Sequence, residues 1–322
     1  MDGNTREFSH SDYTVGWICA LPQTELVAAG AMLDDEHPVL PAPDPNDINS
    51  YLLGRIGDHN VVIACLPAEQ TGKVPAATVA KDMVRSFPAI RFGLMVGIGG
   101  GAPYYRGENE GDVDESDDSE DEELDETQDI RLGDVVISLH SKSSEAVIQY
   151  DFGKSVQNQE FIRAGGQLNK PPGIVLNAVS MLQGQHARKG HKICDLLSKM
   201  LANNPRMEKK FKHLGSAKDQ LFKSETTHVE GKKCESCRGP DDTNLVKRKR
   251  RSSDEPQIHY GTIGSADQVM KDALLRDKWS QREKIKCFEM EAAGNYSISL
   301  FITLFCCFSP LNQDSWIRSH VL

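Results

Sequence analysis

The stretch Phe92–Pro103, FGLMVGIGGGAP, decides how this chain is to be read. Its first half is an apolar run, which predicts a buried strand over Arg91–Val96. Its second half places four glycines, Gly97, Gly99, Gly100 and Gly101, at the carboxyl end of that strand. Glycine lets the backbone approach a ligand closely and take up positive φ. In open α/β sheets, ligands sit at the carboxyl ends of strands. A plain tight turn is the alternative reading of the same loop. The spacing is not GxGxxG followed by an acid, and no GKS or GKT occurs, so neither a dinucleotide cofactor nor a Walker loop is indicated.

Outward from this stretch, short apolar runs alternate with helical patterns. Val15–Leu21 predicts the first strand, and Thr24–Leu33 a helix. Tyr51–Ile56 and Asn60–Leu66 predict paired strands turning at Gly57-Asp58. An amphipathic helix is expected over Ala76–Phe87 and a third buried strand over Leu132–His140. The pattern resumes with a strand at Ile258–Ile263, a helix at Asp267–Lys278 and a strand at Ile285–Met290. This alternation predicts an α/β domain with a twisted, mostly parallel central sheet flanked by helices.

Two polar segments interrupt the pattern. Between Glu108 and Asp129 there are 14 acids and no base, and without them the net charge moves from −10 to +4. The acidic total therefore says nothing about partners, and so self-repelling a run is expected to be disordered. The second segment turns polar and basic and ends in KRKRR, Lys247–Arg251. That cluster is read as a solvated loop, with a nuclear address as the alternative. It lacks the interleaved aromatics that stack bases, so nucleic acid is not favoured as a partner. The first residues are polar with no apolar core of a signal peptide, so the eight cysteines are expected to be reduced in the cytoplasm. No apolar run is long enough to span a bilayer. His228, Cys234 and Cys237 have the spacing of half a zinc site, and His213 and His259 stand at no typical distance from it. No metal or cofactor is expected.

Two glutamate positions stand out. Glu25 follows the first strand, where a general acid or base would sit, although an exposed first-turn glutamate is the bland alternative. In Cys287–Gly294, CFEMEAAG, Glu289 and Glu291 flank Met290. A buried carboxylate there could accept hydrogen bonds from sugar hydroxyls and stabilise developing positive charge. A solvated helix start would use the same residues.

The ordered blocks VGWICALP, LPAEQTGKVPAATVA, FGLMVGIGGGAP, IRLGDVVIS, IQYDFGK, IHYGTIGSADQVMKDA and CFEMEAAG resemble the nucleoside phosphorylase and nucleosidase superfamily over about Tyr13 to Gly294. The closest likeness is to its fungal branch, often the N-terminal domain of larger proteins with NTPase or repeat regions. The resemblance implies cleavage of the N-glycosidic bond of a purine nucleoside or nucleotide. It implies that Glu291 holds ribose hydroxyls with Met290 beneath the sugar, and that Leu21, Gly97, Ile98, Gly99, Gly100 and Gly101 line the ligand. Val269 and Met270 match the segment that packs on the base. Glu25 is the nearest match to the glutamate that activates water, one residue later than the simplest alignment places it. Pro22–Ala28 has no arginine and the Gly-rich loop carries Met95 and Ile98, so charge-assisted grips for phosphate are missing and hydrolysis is favoured. The expected partner is a small nucleoside or nucleotide, and a homo-oligomer is left open.

The expected division is a disordered 1–12, a catalytic-type domain over 13–294 with insertions at 107–130 and about 202–256, and an atypical tail over 295–322. Relatives continue past the E-M-E motif into a strand and an aspartate that protonates the leaving purine. Here only Asp314 offers itself, and no strand is expected before it. Phe301, Leu304, Phe305 and Phe308 are spaced for one helix face. The tail reads as a shifted frame, and the expectation is an impaired enzyme, with a non-catalytic sensing or interaction module as the alternative.

Overall fold

The computed structural model describes residues 7–41, 43–105, 127–141, 144–165, 168, 170–212, 215, 218–227, 234–295 and 300–310. The chain enters through a one-turn 3-10 helix at His10–Asp12, and Phe8 stacks on His37 with ring centroids 3.9 Å apart. Residues 7–12 are therefore ordered against the domain, where disorder was expected.

Strand β1 (Val15–Cys19) leads through a single π-type turn, Pro22–Leu26, into helix α1 (Val27–Ala31). Strands β2 (Asp35–Glu36), β3 (Tyr51–Ile56) and β4 (His59–Cys65) follow, then α2 (Lys73–Ser86) and β5 (Phe92–Gly101). Short strands β6 (Tyr104–Tyr105) and β7 (Thr127–Gln128) pair antiparallel across the acidic segment. Then come β8 (Val135–Ser138), β9 (Val147–Gln149), β10 (Gly153–Lys154), β11 (Ile162–Arg163), and helices α3 (Gly173–Lys189), α4 (Ile193–Asn203) and α5 (Glu208–Phe211). The domain closes with β12 (Ile258–Ser265), α6 (Ala273–Glu283), β13 (Ile285–Glu289), α7 (Ala292–Asn295) and β14 (Phe301–Pro310).

The sheet order is β13-β12-β8-β14-β5-β1-β4-β3-β2, with β9 added beside β12. Neighbours along β1, β4, β5 and β14 run parallel, while β3–β4, β2–β3 and β14–β8 are antiparallel. The end of β13 turns back to pair with β5, Cys287 opposite Gly101 and Phe288 opposite Gly100. Strands β5, β14, β8, β12 and β13 therefore close into a ring, and β1, β4, β3 and β2 extend from it as an open wing.

Three sequence expectations are corrected. First, the glycines after Val96 do not form a loop: β5 runs on to Gly101. At Gly99, and at Gly93 earlier in the strand, neighbours fill the space a side chain would take. A Cβ at Gly93 would lie 2.3 Å from the Phe301 ring, and one at Gly99 2.4 Å from Cys287 Sγ. Second, Phe301–Pro310 is a strand, and it occupies the middle of the sheet between β5 and β8. Phe301, Phe305 and Cys307 face the main core, while Ile302 and Leu304 face a separate cluster with Ile137, Val175 and Val179. The pair Phe301 and Phe305 fits both helical and strand periods, and the glycine face of β5 decides for the strand. Burying Phe301, Ile302 and Phe305 contributes about 1.5–3 kcal/mol each. Asp314 lies outside the described residues. Third, α6 begins at Ala273 rather than Asp267, because Asp272 caps it by accepting from the Leu275 amide at 2.9 Å.

The basic cluster is also not a free patch. Asp134, fully buried, accepts from Arg251 Nη1 at 2.8 Å and Nη2 at 2.7 Å, from the amides of Gln257 and Arg131 at 2.8 and 2.9 Å, and lies 2.9 Å from His259 Nε2. These donors hold its carboxyl well below the usual carboxylate range against the cost of burial. Arg248 pairs with Asp219 at 2.9 Å. Arg251 thus ties the end of segment 202–256 to the sheet, while the Arg248 pair joins two parts of that segment, in which Leu221, Phe222 and Cys237 are buried. His213 and His228 lie outside the described residues. Among the described residues, no helix is long and apolar enough to cross a membrane.

Candidate active site

Three glutamates from distant parts of the sequence meet at one end of the ring. Glu25 lies in the turn after β1, Glu289 ends β13, and Glu291 stands between β13 and α7. They are 8%, 6% and 6% exposed. The charge on Glu25 helps to raise the proton affinity of both of the others.

Glu25 is held by backbone amides. Its Oε2 accepts from Ala20 N at 2.6 Å and Leu21 N at 3.1 Å, and its Oε1 from Ile98 N at 2.9 Å. The tight turn after β1 folds the side chain back onto the amides it has just passed. Gly97 makes room, since a Cβ there would lie 2.6 Å from Glu25 Oε1. Burial raises the proton affinity of Glu25, and the three amides oppose it. A carboxylate has about four lone-pair sites, so three amides leave one to accept a further proton.

Glu291 Oε1 accepts from Gly72 N at 3.1 Å, just before α2 begins. Gly294 permits that approach: a Cβ on it would lie 2.0 Å from the Lys73 carbonyl oxygen. Burial raises the Glu291 pKa, the neighbouring Glu289 raises it further, and the Gly72 amide pulls it back. Glu289 is raised by burial as well. Its Oε2 accepts from the amides of Glu291 at 2.7 Å and Ala292 at 2.8 Å.

Beside this group, Lys73 Nζ sits 2.8 Å from both oxygens of Asp151 and 3.2 Å from Asp267 Oδ2. Asp267 N donates to Asp151 and Gln149 Nε2 donates to Asp151 Oδ1, at 2.9 and 2.8 Å. This clamp joins α2, the end of β9 and the loop after β12. Sequence reasoning did not single out Lys73, Asp151 or Asp267, although all three lie inside the blocks that carry the resemblance.

The other anticipated residues fall into two sets. Leu21 and Ile98 meet Glu25 through their amides, and Met290 N donates to Glu291 Oε2 at 3.3 Å. Gly100 and Gly101 are engaged in the pairing with β13. Val269 is 41% exposed, whereas Met270 is buried with Ile148, Tyr150 and Phe288. A cavity of about 630 Å³ lies elsewhere, lined by residues on and beside β3, β4 and α2 such as Tyr51, Cys65, Leu66 and Val74, and none of the three glutamates lines it. Among the described residues, no cluster of His, Cys, Asp and Glu is arranged to hold a metal ion.

No family model matches the chain. A nucleotide-binding leucine-rich repeat (NLR)-like protein of Hyaloscypha variabilis is 38% identical over 283 residues. That match takes in 88% of this chain and 25% of the relative, so the chain spans about a quarter of the relative's length. Among solved structures, the futalosine hydrolase of Helicobacter pylori has a TM-score of 0.48 at 14% identity, covering 97% of this chain and 94% of that one. The 5'-methylthioadenosine/S-adenosylhomocysteine nucleosidase of Neisseria meningitidis, in complex with methylthio-immucillin-A, has a TM-score of 0.46 at 15% identity, covering 96% and 93%. The resemblance to the nucleoside phosphorylase and nucleosidase superfamily is carried by the sequence blocks quoted above.

Proposed function

We propose that this chain is a nucleoside N-glycosidase domain of that superfamily, acting on a purine nucleoside or nucleotide with water as nucleophile. The observation that carries the reading is three buried glutamates, Glu25, Glu289 and Glu291, each held by backbone amides at one end of the ring. A cluster of carboxylates suits a reaction whose transition state is a ribosyl cation, because it stabilises developing positive charge. In this reading Glu25 takes the proton from the attacking water, the C–N bond breaks with the departing base taking up a proton from solvent, and Glu291 accepts hydrogen bonds from ribose hydroxyls. Pro22–Ala28 supplies no basic residue to grip a phosphate dianion, which favours hydrolysis over phosphorolysis. Impairment was expected because neither a strand nor an acid presented on it to protonate the leaving purine was foreseen after the E-M-E motif. Strand β14 supplies the strand, while the one candidate acid, Asp314, lies outside the described residues, so the proposal remains that of an impaired glycosidase.

A second reading, a nucleoside-binding module without turnover, is favoured by one observation. Both oxygens of Glu25 and of Glu291 already accept from the chain's own amides. Incubation with adenosine, inosine and ATP, followed by chromatography for free base, separates the two. Base release supports the hydrolase, and saturable nucleoside binding without release supports the module. Neither binding nor release sinks both.

A further inference from the structure

We infer that Glu289 is a positioning residue for Glu291, acting through the backbone between them. This rests on the reading of Glu291 as the group that meets the sugar. Glu289 is the last residue of β13, and its Oε2 takes the amide hydrogens of Glu291 and Ala292 at 2.7 and 2.8 Å. The next amide, Ala293 N, donates to Ser265 Oγ at 3.0 Å, from the end of the neighbouring strand β12. Three successive amides at the corner between β13 and α7 are thus held by side chains of the rigid sheet. Those bonds set the direction in which Glu291 leaves the backbone. From the far side, Gly72 N donates to Glu291 Oε1 at 3.1 Å and fixes the other end of the side chain.

Glu289 has a second effect that a neutral cap would lack. The groups facing Glu291 are Glu289 on β13, Glu25 after β1, and the amides of Gly72 and Met290. Both side chains are acidic, so Glu289 helps Glu291 retain a proton. Ser265 is near enough to Glu289 to favour its charged form, yet Glu289 Oε1 is buried without a hydrogen-bond partner among the described residues. The buried, half-satisfied carboxylate keeps its charge effect concentrated on its neighbour.

The two effects separate by substitution. In Glu289→Gln the amide oxygen can still accept from both N–H groups, while the negative charge is gone. In Glu289→Ala both are gone. Affinity for adenosine is measured by calorimetry across pH for the wild type and both variants, with hydrogen exchange at the Glu291 and Ala292 amides. Glu289→Gln is expected to bind within about threefold of wild type where Glu291 is ionised, with the acid limb of its profile moved to lower pH. Glu289→Ala is expected to lose about tenfold or more and to exchange those two amides faster. Unchanged binding and exchange in Glu289→Ala overturns the inference, as does equal loss in both variants with no movement of the profile. If the wild type binds no nucleoside, the reading of Glu291 falls instead. The exchange measurement then decides positioning by itself: protection kept in Glu289→Gln and lost in Glu289→Ala supports it, and any other pattern refutes it.

Discussion

Gly97→Ala tests the link between the glycine face of β5 and the chemistry assigned to Glu25. The new methyl group would stand 2.6 Å from Glu25 Oε1 and 3.0 Å from Phe305 Cε1. Ordinary contact requires about 3.4 Å or more, so the carboxylate oxygen must retreat by about 0.8 Å. Its bond from Ile98 N is 2.9 Å long, and that retreat carries it out of hydrogen-bonding range. Losing one amide to a carboxylate costs about 1.5–3 kcal/mol, and crowding Phe305 adds about 1 kcal/mol or more. A base displaced by this much is expected to lower the turnover rate about 100-fold. Base release at saturating nucleoside gives the rate, and thermal unfolding gives the stability. Gly93→Ala is the control, since its methyl meets the Phe301 ring and no part of Glu25. It should destabilise the domain and spare the turnover of whatever remains folded. A Gly97→Ala variant as fast as wild type, or a Gly93→Ala variant equally slow while folded, would refute the argument.

Glu291→Gln should weaken nucleoside binding at least about tenfold, measured by calorimetry on folded protein, because a charge-assisted acceptor is replaced by a neutral one. Removing residues 107–125 and joining the ends with a short Gly-Ser linker should leave the thermal midpoint within a few degrees of wild type. The ladder Tyr104–Gln128 and Tyr105–Thr127 already holds the two ends together, and a large fall would contradict this. Glu25, Glu289 and Glu291 have folded pKa values raised above 4.5, so the folded state binds more protons than the unfolded state above that pH. Their contribution is therefore full at acid pH and is lost as pH rises through the raised values; denaturant midpoints across pH should show the fall, and Glu291→Gln should flatten it. Asp134→Ala should cost about 3–5 kcal/mol in chemical denaturation, because it strands Arg251 without its buried partner.

Much of the sheet was legible in the sequence because its strands are apolar runs bounded by turn residues. Tyr51–Ile56 was read to the residue, and β4, β12 and β13 to within two. The E-M-E glutamate and Glu25 were legible as types of residue at strand ends. Their burial was not, since the amides of Gly72 and Ile98 that hold them are remote in sequence. The end of β5 was misread because glycine signals a loop locally, whereas here it answers to Phe301 and Glu25 from other segments. Strand β14 was missed for the complementary reason: its aromatic spacing suits two periods, and only its glycine partner strand selects one. Helix α3 was not foreseen, and its exposed Met181 and Ile174 blur the apolar stripe that would have marked it.

The place of β14 has a consequence for how the domain is made. It enters between β5 and β8, strands that precede it by roughly 200 and 165 residues of chain. Pairings so remote must close large loops before they return any stabilisation, which slows folding. During synthesis β1, β4 and β5 emerge early and can pair at once, yet one edge of β5 stays open until residues 301–310 leave the ribosome. Through that interval the nascent chain carries an unfilled slot at the heart of its sheet, flanked by two bare strand edges able to capture a strand from another molecule.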